Sequence, residues 1–347
     1  SIQRRHQKII EEAPAPYLTE KTKRAMQKTA LEILTTIEYH GAGTIEFLVD
    51  EQENFYFMEM NTRLQVEHPI TEMITGIDLV EWQCRVAAGE PLPLKQGDIV
   101  INGHAIEARL CAESPSDNFA PSTGRLAYLD FPSIDDHVRV DTGVRKNDEI
   151  SAYCDSMIAK VIVHADHRED ALLQLKSALH ETHIVGVSSN TELLVKILNE
   201  ADFLSGKINT TFIDNHPGLL TAGQAISPEL LILAGLYHIN QLSSQGHQQA
   251  CGSNDPYSPW FTRDYWRLNS PPKIDITLWE IDANLIRFSE NHQAQINNEK
   301  YDTEITWQDD FQLAVRINNQ SFHANLFPSQ HELHLFYQGQ HYTLHTL

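Results

Sequence analysis

The hydrophobic and polar positions divide the chain into two parts. Up to about Gly218 helical and extended patterns alternate. Residues 20–40 (EKTKRAMQKTALEILTTIEYH) form an amphipathic helical pattern, with Thr19 placed to cap its start and Gly41 its end. Residues 78–88 predict a second helix, closed by Gly89 and Pro91, and residues 168–180 and 190–199 two more. Residues 44–50, 55–61, 104–111, 124–131, 137–140 and 157–164 predict strands. This mixture predicts an α+β unit in which helices flank a mixed sheet.

Beyond Gly218 the pattern changes. Residues 228–242 predict one apolar helix, and residues 243–258, rich in Gln, Ser, Gly and Asn, a long loop. From Ile274 to the end short alternating runs follow one another, for example at 274–281, 311–317, 321–327, 332–337 and 341–345. Asn318-Asn319, Pro328-Ser329 and Gln338-Gly339 separate several of them and supply turns. The expectation is an antiparallel meander closing into a barrel-like or sandwich domain, with domains at 1–218 and 219–347. No internal repeat is visible.

The chemistry concentrates in GAGTIEFLVDEQENFYFMEMNTRLQVEHPITE, residues 41–72. If 44–50 and 55–61 form a hairpin turning at Gln52-Glu53, Glu46 lies opposite Glu59. Like charges at that spacing are unfavourable without a proton or a cation. Oxygen ligands alone suit Mg²⁺ or Mn²⁺, and Mg²⁺ commonly takes one or two carboxylates plus phosphate oxygens. Taken alone, the hairpin is better explained by solvated charges. The next residues alter that weighting. Glu59, Asn61, Arg63, Gln65 and Glu67 occupy every second position and would share one side of an extended chain. Two acids, two amides and a guanidinium suit an anion held beside a metal, with Glu67 available as a general base. QRRHQK, residues 3–8, forms a second basic cluster that could equally be a solvated turn making surface ion pairs with Glu11 and Glu12. Arg109 in HAIEARL and Asp155 in YCDSMIAK are ambiguous on spacing alone.

Charge narrows the partners. Lys and Arg number 26 against 47 Asp and Glu, a net charge of −21. Such a surface repels a phosphate backbone, which argues against nucleic acid as main partner but leaves room for a nucleotide held by local cations and metal. The four cysteines, Cys84, Cys111, Cys154 and Cys251, form no C-x-x-C motif and read as reduced thiols. No apolar run reaches membrane-spanning length.

QRRHQK, AGTIEFL and FMEMNTRLQVEHPITEMITGIDL together resemble the biotin carboxylase component of biotin-dependent carboxylases, a branch of the ATP-grasp fold. HAIEARLCAE and YCDSMIAKVIVHA resemble later segments of that component, so the resemblance runs from Ser1 to about Gly218. It implies an ATP-dependent ligase in which ATP and bicarbonate form carboxyphosphate and CO₂ passes to biotin. It assigns Glu46, Glu59 and Asn61 to the metal, Gln3, His6 and Glu59 to the nucleotide, and Arg63, Gln65 and the Val66 backbone to bicarbonate. Glu67 would take the bicarbonate proton, Lys8 would contact bicarbonate or carboxyphosphate, and Arg109 would stabilise the biotin enolate.

DPYSPW, WRLN and the β-rich tail resemble acyl-CoA carboxylase α subunits, methylcrotonyl-CoA carboxylase foremost, with the propionyl-CoA and geranyl-CoA enzymes left open. There a helix and an antiparallel barrel join the α subunit to the carboxyltransferase β subunit. Trp260, Trp266 and Trp279 would then be barrel core or interface anchors. The family's phosphate-gripping lid lies upstream of QRRHQK, and none of the five methionines begins the biotinyl Met-Lys-Met target. The expectation is therefore an oligomer-forming subunit fragment that carries no biotin and is inactive alone. Its compartment would be bacterial cytoplasm or mitochondrial matrix. Another ATP-grasp ligase and a non-catalytic assembly module are the competing readings.

Overall fold

In a computed structural model the structure describes residues 1–221, 226–253, 273–277, 285–289, 293–308, 311–329 and 332–345. Two compact units result, Ser1–Thr221 and Ala222–Leu347.

The first unit is built on a five-stranded antiparallel sheet. Its order is β1 (Ile2–Arg4), β2 (Gln7–Ala13), β5 (His104–Cys111), then the strands Met157–Ala165 and Val138–Thr142. Strand alternation gives the sheet two unlike faces. Ile106, Ala108, Leu110, Val161 and Val163 face a large apolar core. Leu172, Leu175 and Leu179 of α4 (Arg168–His180) and Leu193, Leu194 and Ile197 of α5 (Thr191–Asn199) complete that core. On the other face, Ala105 and Ile162 pack against Ile70 and Ile74 of α2 (His68–Thr75). Along the strands the same face becomes charged, at Glu107, Arg109 and Lys160. These side chains lie under the loop that leads into α2.

Helix α1 (Glu20–Thr36) starts as its sequence predicts, with the Thr19 hydroxyl accepting from the Thr22 amide. It ends short of Gly41 because Ile37 caps it and Glu38 turns left-handed at φ 50°. The hairpin β3 (Thr44–Val49) and β4 (Phe55–Asn61) sets Glu46 opposite Glu59 as predicted, but a bulge after Glu46 shifts the pairing nearer the turn by one residue, to Phe47 opposite Phe57. Helix α3 (Leu79–Ala87) is capped by Asp78. Residues 124–131 form two short strands instead of one. Gly124–Arg125 pairs with Glu149–Ile150, and Tyr128–Asp130 pairs with His183–Val185, so the intervening residues switch partners. Strand β1 and helix α2 were not evident as periodic patterns, being only 3 and 8 residues long.

In the second unit the helix Pro228–Cys251 runs well past the predicted end at 242, so residues 243–251 are helical rather than loop. Its first turns bury Leu230, Leu231, Ile232, Leu233, Ala234, Leu236 and Tyr237, and a helix anchored in this way extends easily through Ser and Gln. Gly235 permits the close approach: a Cβ there would come within 2.8 Å of the Phe288 ring. Among the described residues eight antiparallel strands follow in sequence order from Lys273–Thr277 to Gln340–His345. The strands Leu285–Ser289, Gln293–Ile296 and Glu299–Trp307 continue the expected meander between the runs named from the sequence. DPYSPW, WRLN, Trp260, Trp266 and Trp279 lie outside the described residues. No described helix is long and apolar enough to cross a membrane.

Candidate functional site

Three elements of the first unit converge. The β1–β2 hairpin turns through Arg5 and His6, both at positive φ, and its second strand carries Lys8. The β3–β4 hairpin carries Glu46, Glu59 and Asn61. The segment from Thr62 carries Arg63, Gln65, Val66 and Glu67 and is not the extended continuation of β4 that alternation suggested. The strand stops at Asn61, the chain bends at Arg63, and Glu67 sits in near-helical geometry as the residue before α2. Pro69 at the start of α2 suits this turn, because proline is favoured in the first helical turn. The bend, rather than strand alternation, brings Gln65 and Glu67 back over the sheet.

Hydrogen bonds tie these residues together. Lys8 Nζ donates to Glu67 Oε1 at 2.6 Å and to Glu46 Oε1 at 3.0 Å. Glu46 Oε1 also accepts from Gln65 Nε2 at 2.6 Å and from Asn61 Nδ2 at 3.2 Å. The Asn61 amide donates to Glu59 Oε1 as well, at 2.9 Å, and so bridges the two facing carboxylates. Gln65 is buried, and its Oε1 has no hydrogen-bond partner. Arg63 is exposed and donates to the Leu64 carbonyl; among the described residues no carboxylate pairs with it. Lys8, Glu46, Glu59, Arg63, Gln65 and Glu67 line a cavity of about 870 Å³ that also includes Gln3, His6, Arg109 and Asp155. Asp155 accepts from the Met157 amide at 2.9 Å.

Electrostatics set the protonation of the cluster. Burial opposes the Lys8 charge, but hydrogen bonds to Glu67 and Glu46 outweigh it and hold its pKa above the ordinary lysine value. Burial likewise disfavours the Glu67 carboxylate, yet the bond from Lys8 and the charges of Lys8 and Arg109 hold it below the ordinary glutamate range. Arg109 donates to Glu67 Oε2 at 2.8 Å, pairs closely with Glu11, and lies 3.8 Å from Glu107. Beneath that layer the order reverses. Burial pushes the Glu11 carboxyl up to about 7 against the pull of Arg109. Burial and the neighbouring Glu11 push Glu107 up to about 9.

Glu11 and Glu12 are thus buried ion-pair partners and not surface charges. Glu12 accepts from Arg168 Nε at 2.7 Å and pairs with His104 at 2.9 Å. Arg4 is likewise no solvated base; it is buried against Glu113. Sequence reasoning gave no weight to Glu11, Glu107 or Lys160. Alternation puts Glu107 and Arg109 on one face of β5, but only the pairing of β2 with β5 sets Glu11 opposite Glu107.

Glu46, Glu59 and Asn61 offer two carboxylates and an amide. No group of three or more His, Cys, Asp or Glu side chains able to hold a metal occurs among the described residues. That donor set fits an oxygen-preferring divalent cation completed by phosphate oxygens better than a closed protein cage.

Residues 1–95 match the family of the carbamoyl-phosphate synthase L chain ATP binding domain, and residues 107–215 match the biotin carboxylase C-terminal domain. The mitochondrial methylcrotonoyl-CoA carboxylase subunit alpha of Mus musculus is 46% identical over 279 residues, which covers 80% of this chain and 39% of the relative. The mitochondrial propionyl-CoA carboxylase alpha chain of Sus scrofa is 44% identical over 262 residues, 74% of this chain and 36% of the relative. The chain therefore spans about two fifths of the length of these relatives. Among solved structures, the biotin carboxylase domain of Hydrogenobacter thermophilus 2-oxoglutarate carboxylase is similar with a TM-score of 0.63 and 44% identity. The similarity covers 65% of this chain and 49% of that one, which was crystallised with MgADP, ADP and bicarbonate.

Proposed function

We propose, from the premise that this chain belongs to the biotin carboxylase family, that its first unit supplies the metal and bicarbonate half of an ATP-dependent biotin carboxylase. The observation that carries this reading is the Lys8 bridge. One ammonium joins Glu46 of the carboxylate pair to Glu67 at the end of the polar segment, so metal donors and candidate base form one site.

In this reading Glu46, Glu59 and Asn61 hold Mg²⁺ or Mn²⁺, which would bridge and neutralise nucleotide phosphates. Gln3 and His6, across the same cavity, lie toward the nucleotide. The exposed Arg63 guanidinium is available to a bicarbonate oxygen, and the unsatisfied Gln65 Oε1 can accept its hydroxyl proton. The Val66 backbone completes that pocket. Glu67 is a weak base while Lys8 and Arg109 both hold it. A bicarbonate that draws off either cation raises the basicity of Glu67 at the moment a proton must be removed. Lys8 is then free to face bicarbonate or carboxyphosphate, and Arg109 to stabilise the enolate of biotin presented from a separate biotinyl domain.

The second unit is read as the docking domain for a carboxyltransferase β subunit within an oligomer. Methylcrotonyl-CoA is the favoured acyl substrate, because a methylcrotonoyl-CoA carboxylase alpha subunit matches across 80% of the chain, into the second unit. The propionyl-CoA enzyme is the second reading, since its alpha chain matches 74%. The mitochondrial relatives favour the mitochondrial matrix over a bacterial cytoplasm.

Mn²⁺ binding followed by electron paramagnetic resonance, with ADP present, tests the site without requiring turnover. Glu46→Gln and Glu59→Gln should each weaken Mn²⁺ binding at least tenfold, whereas Glu67→Gln should leave it intact. Equal binding in all four proteins would refute the assignment.

A further inference from the structure

The residues proposed to hold bicarbonate lie on a bend, and a bend must be fixed by something beneath it. Directly below, three residues stand opposite one another across three strands: Asp141 opposes Lys160, and Lys160 opposes Arg109. Opposed residues share a face, so two cations sit side by side in a buried layer. Each is committed upward to a different member of one dipeptide. Lys160 Nζ donates to the Val66 carbonyl at 2.9 Å, and Arg109 donates to the Glu67 carboxylate at 2.8 Å. Lys160 is 8% exposed and pairs with Asp141 at 3.1 Å, while Arg139 holds Asp141 through two bonds and reaches Glu72 of α2 at 2.7 Å.

We propose that Lys160 is a positioning residue that fixes the Val66-Glu67 dipeptide over the sheet and thereby sets the affinity of the site for a carboxylate-like oxyanion such as bicarbonate. This rests on the function proposed above. Arg109 alone grips a side chain, which can rotate; Lys160 grips the main chain and so fixes where the Val66 amide and the Glu67 carboxylate start from.

The test compares Lys160→Met and Lys160→Arg in the full chain. Hydrogen–deuterium exchange of residues 62–72 reports the bend, and residues 191–199 serve as a control for global stability. Line broadening of ¹³C-bicarbonate reports the anion, and Mn²⁺ binding with ADP reports the metal end. Lys160→Met should speed exchange at 62–72 but not at 191–199. It should weaken bicarbonate binding at least tenfold and leave Mn²⁺ binding unchanged. Lys160→Arg should restore most of the bicarbonate affinity. Unchanged bicarbonate affinity in Lys160→Met overturns the proposal while leaving the site assignment standing. Loss of exchange protection everywhere overturns it in favour of a general packing role. Failure of the unsubstituted chain to bind bicarbonate overturns the functional reading itself, and the proposal with it.

Discussion

Replacing Glu107 by glutamine should make the first unit more stable at alkaline pH and change it little at acid pH. Glu107 is fully buried, neither of its carboxyl oxygens accepts a hydrogen bond, and its pKa is pushed to about 9 from an ordinary 4.5. The sign follows from proton counting. Above pH 4.5 the unfolded chain has released this proton and the folded chain retains it. The native state then binds more protons than the unfolded state, so stability falls as pH rises from about 4.5 toward 9. At about 1.4 kcal/mol per pH unit for one proton, the cost accumulated by pH 7.5 is up to about 4 kcal/mol. A glutamine amide has nearly the same shape and no proton to lose. Urea unfolding read by pulsed hydrogen–deuterium exchange of residues 104–111 isolates the first unit. At pH 5.5 the Glu107→Gln protein should match the parent within about 1 kcal/mol, and at pH 8.5 it should exceed it by about 2 kcal/mol or more. Equal destabilisation at both values would mean that Arg109 holds Glu107 as an anion, and would refute the reasoning.

Glu12→Gln should behave in the opposite sense. Its carboxyl is buried, and the bonds from His104 and Arg168 outweigh burial to hold it below the ordinary range. The variant should therefore lose about 3–5 kcal/mol at pH 7, with the deficit closing as pH falls below about 4.5 and the parent takes up the proton. Gly186→Ala should cost more than about 2 kcal/mol of unfolding free energy measured in urea, since a Cβ there would collide with the Arg125 carbonyl and the residue sits at φ 108°. Asn190→Ala should cost about 2–3 kcal/mol and speed amide exchange at Cys111, because the fully buried Asn190 side chain accepts from the Cys111 amide and donates to the Arg109 carbonyl.

The parts of the fold legible in the sequence are those with a strong local signal. The facing of Glu46 and Glu59 was legible by counting outward from a turn, although a bulge after Glu46 makes up for a one-residue error in that count, and α4 and α5 followed from apolar periodicity. Alternation grouped residues after Asn61 that the structure does bring together, but through the wrong geometry. It placed Gln65 and Glu67 on one side of a strand, whereas a bend into α2 brings them together. The basic cluster 3–8 was hard to place because its residues part company: Arg5 and His6 occupy the exposed turn, Arg4 is buried on Glu113, and Lys8 enters the site. Burial of Glu11, Glu107 and Lys160 depends on which strands adjoin, and β2, β5 and Met157–Ala165 come from distant parts of the chain. No local pattern carries that information. The polar run 243–251 misled for the converse reason, since its helix is sustained by apolar turns that precede it.

The charged face of the sheet also bears on how an acidic chain can hold an anion. Around the Val66-Glu67 dipeptide stand Lys8, Arg109 and Lys160 against Glu11, Glu46, Glu67 and Glu107, while Asp141 is balanced by Arg139. With every acid ionised this layer would be negative and would repel bicarbonate. With Glu107 neutral and Glu11 titrating near 7, the cations match the remaining acids more closely. Burial therefore does more than tolerate these two carboxyls: by keeping their protons it leaves the charges of Arg109 and Lys160 less cancelled. Bicarbonate affinity should accordingly decline as pH rises through 7 toward 9, more steeply than nucleotide affinity at the metal end. In Glu107→Gln the decline should shrink toward the share that Glu11 contributes. A bicarbonate affinity independent of pH over that range would show that the two buried acids are electrostatically silent at the site, whatever they do to stability.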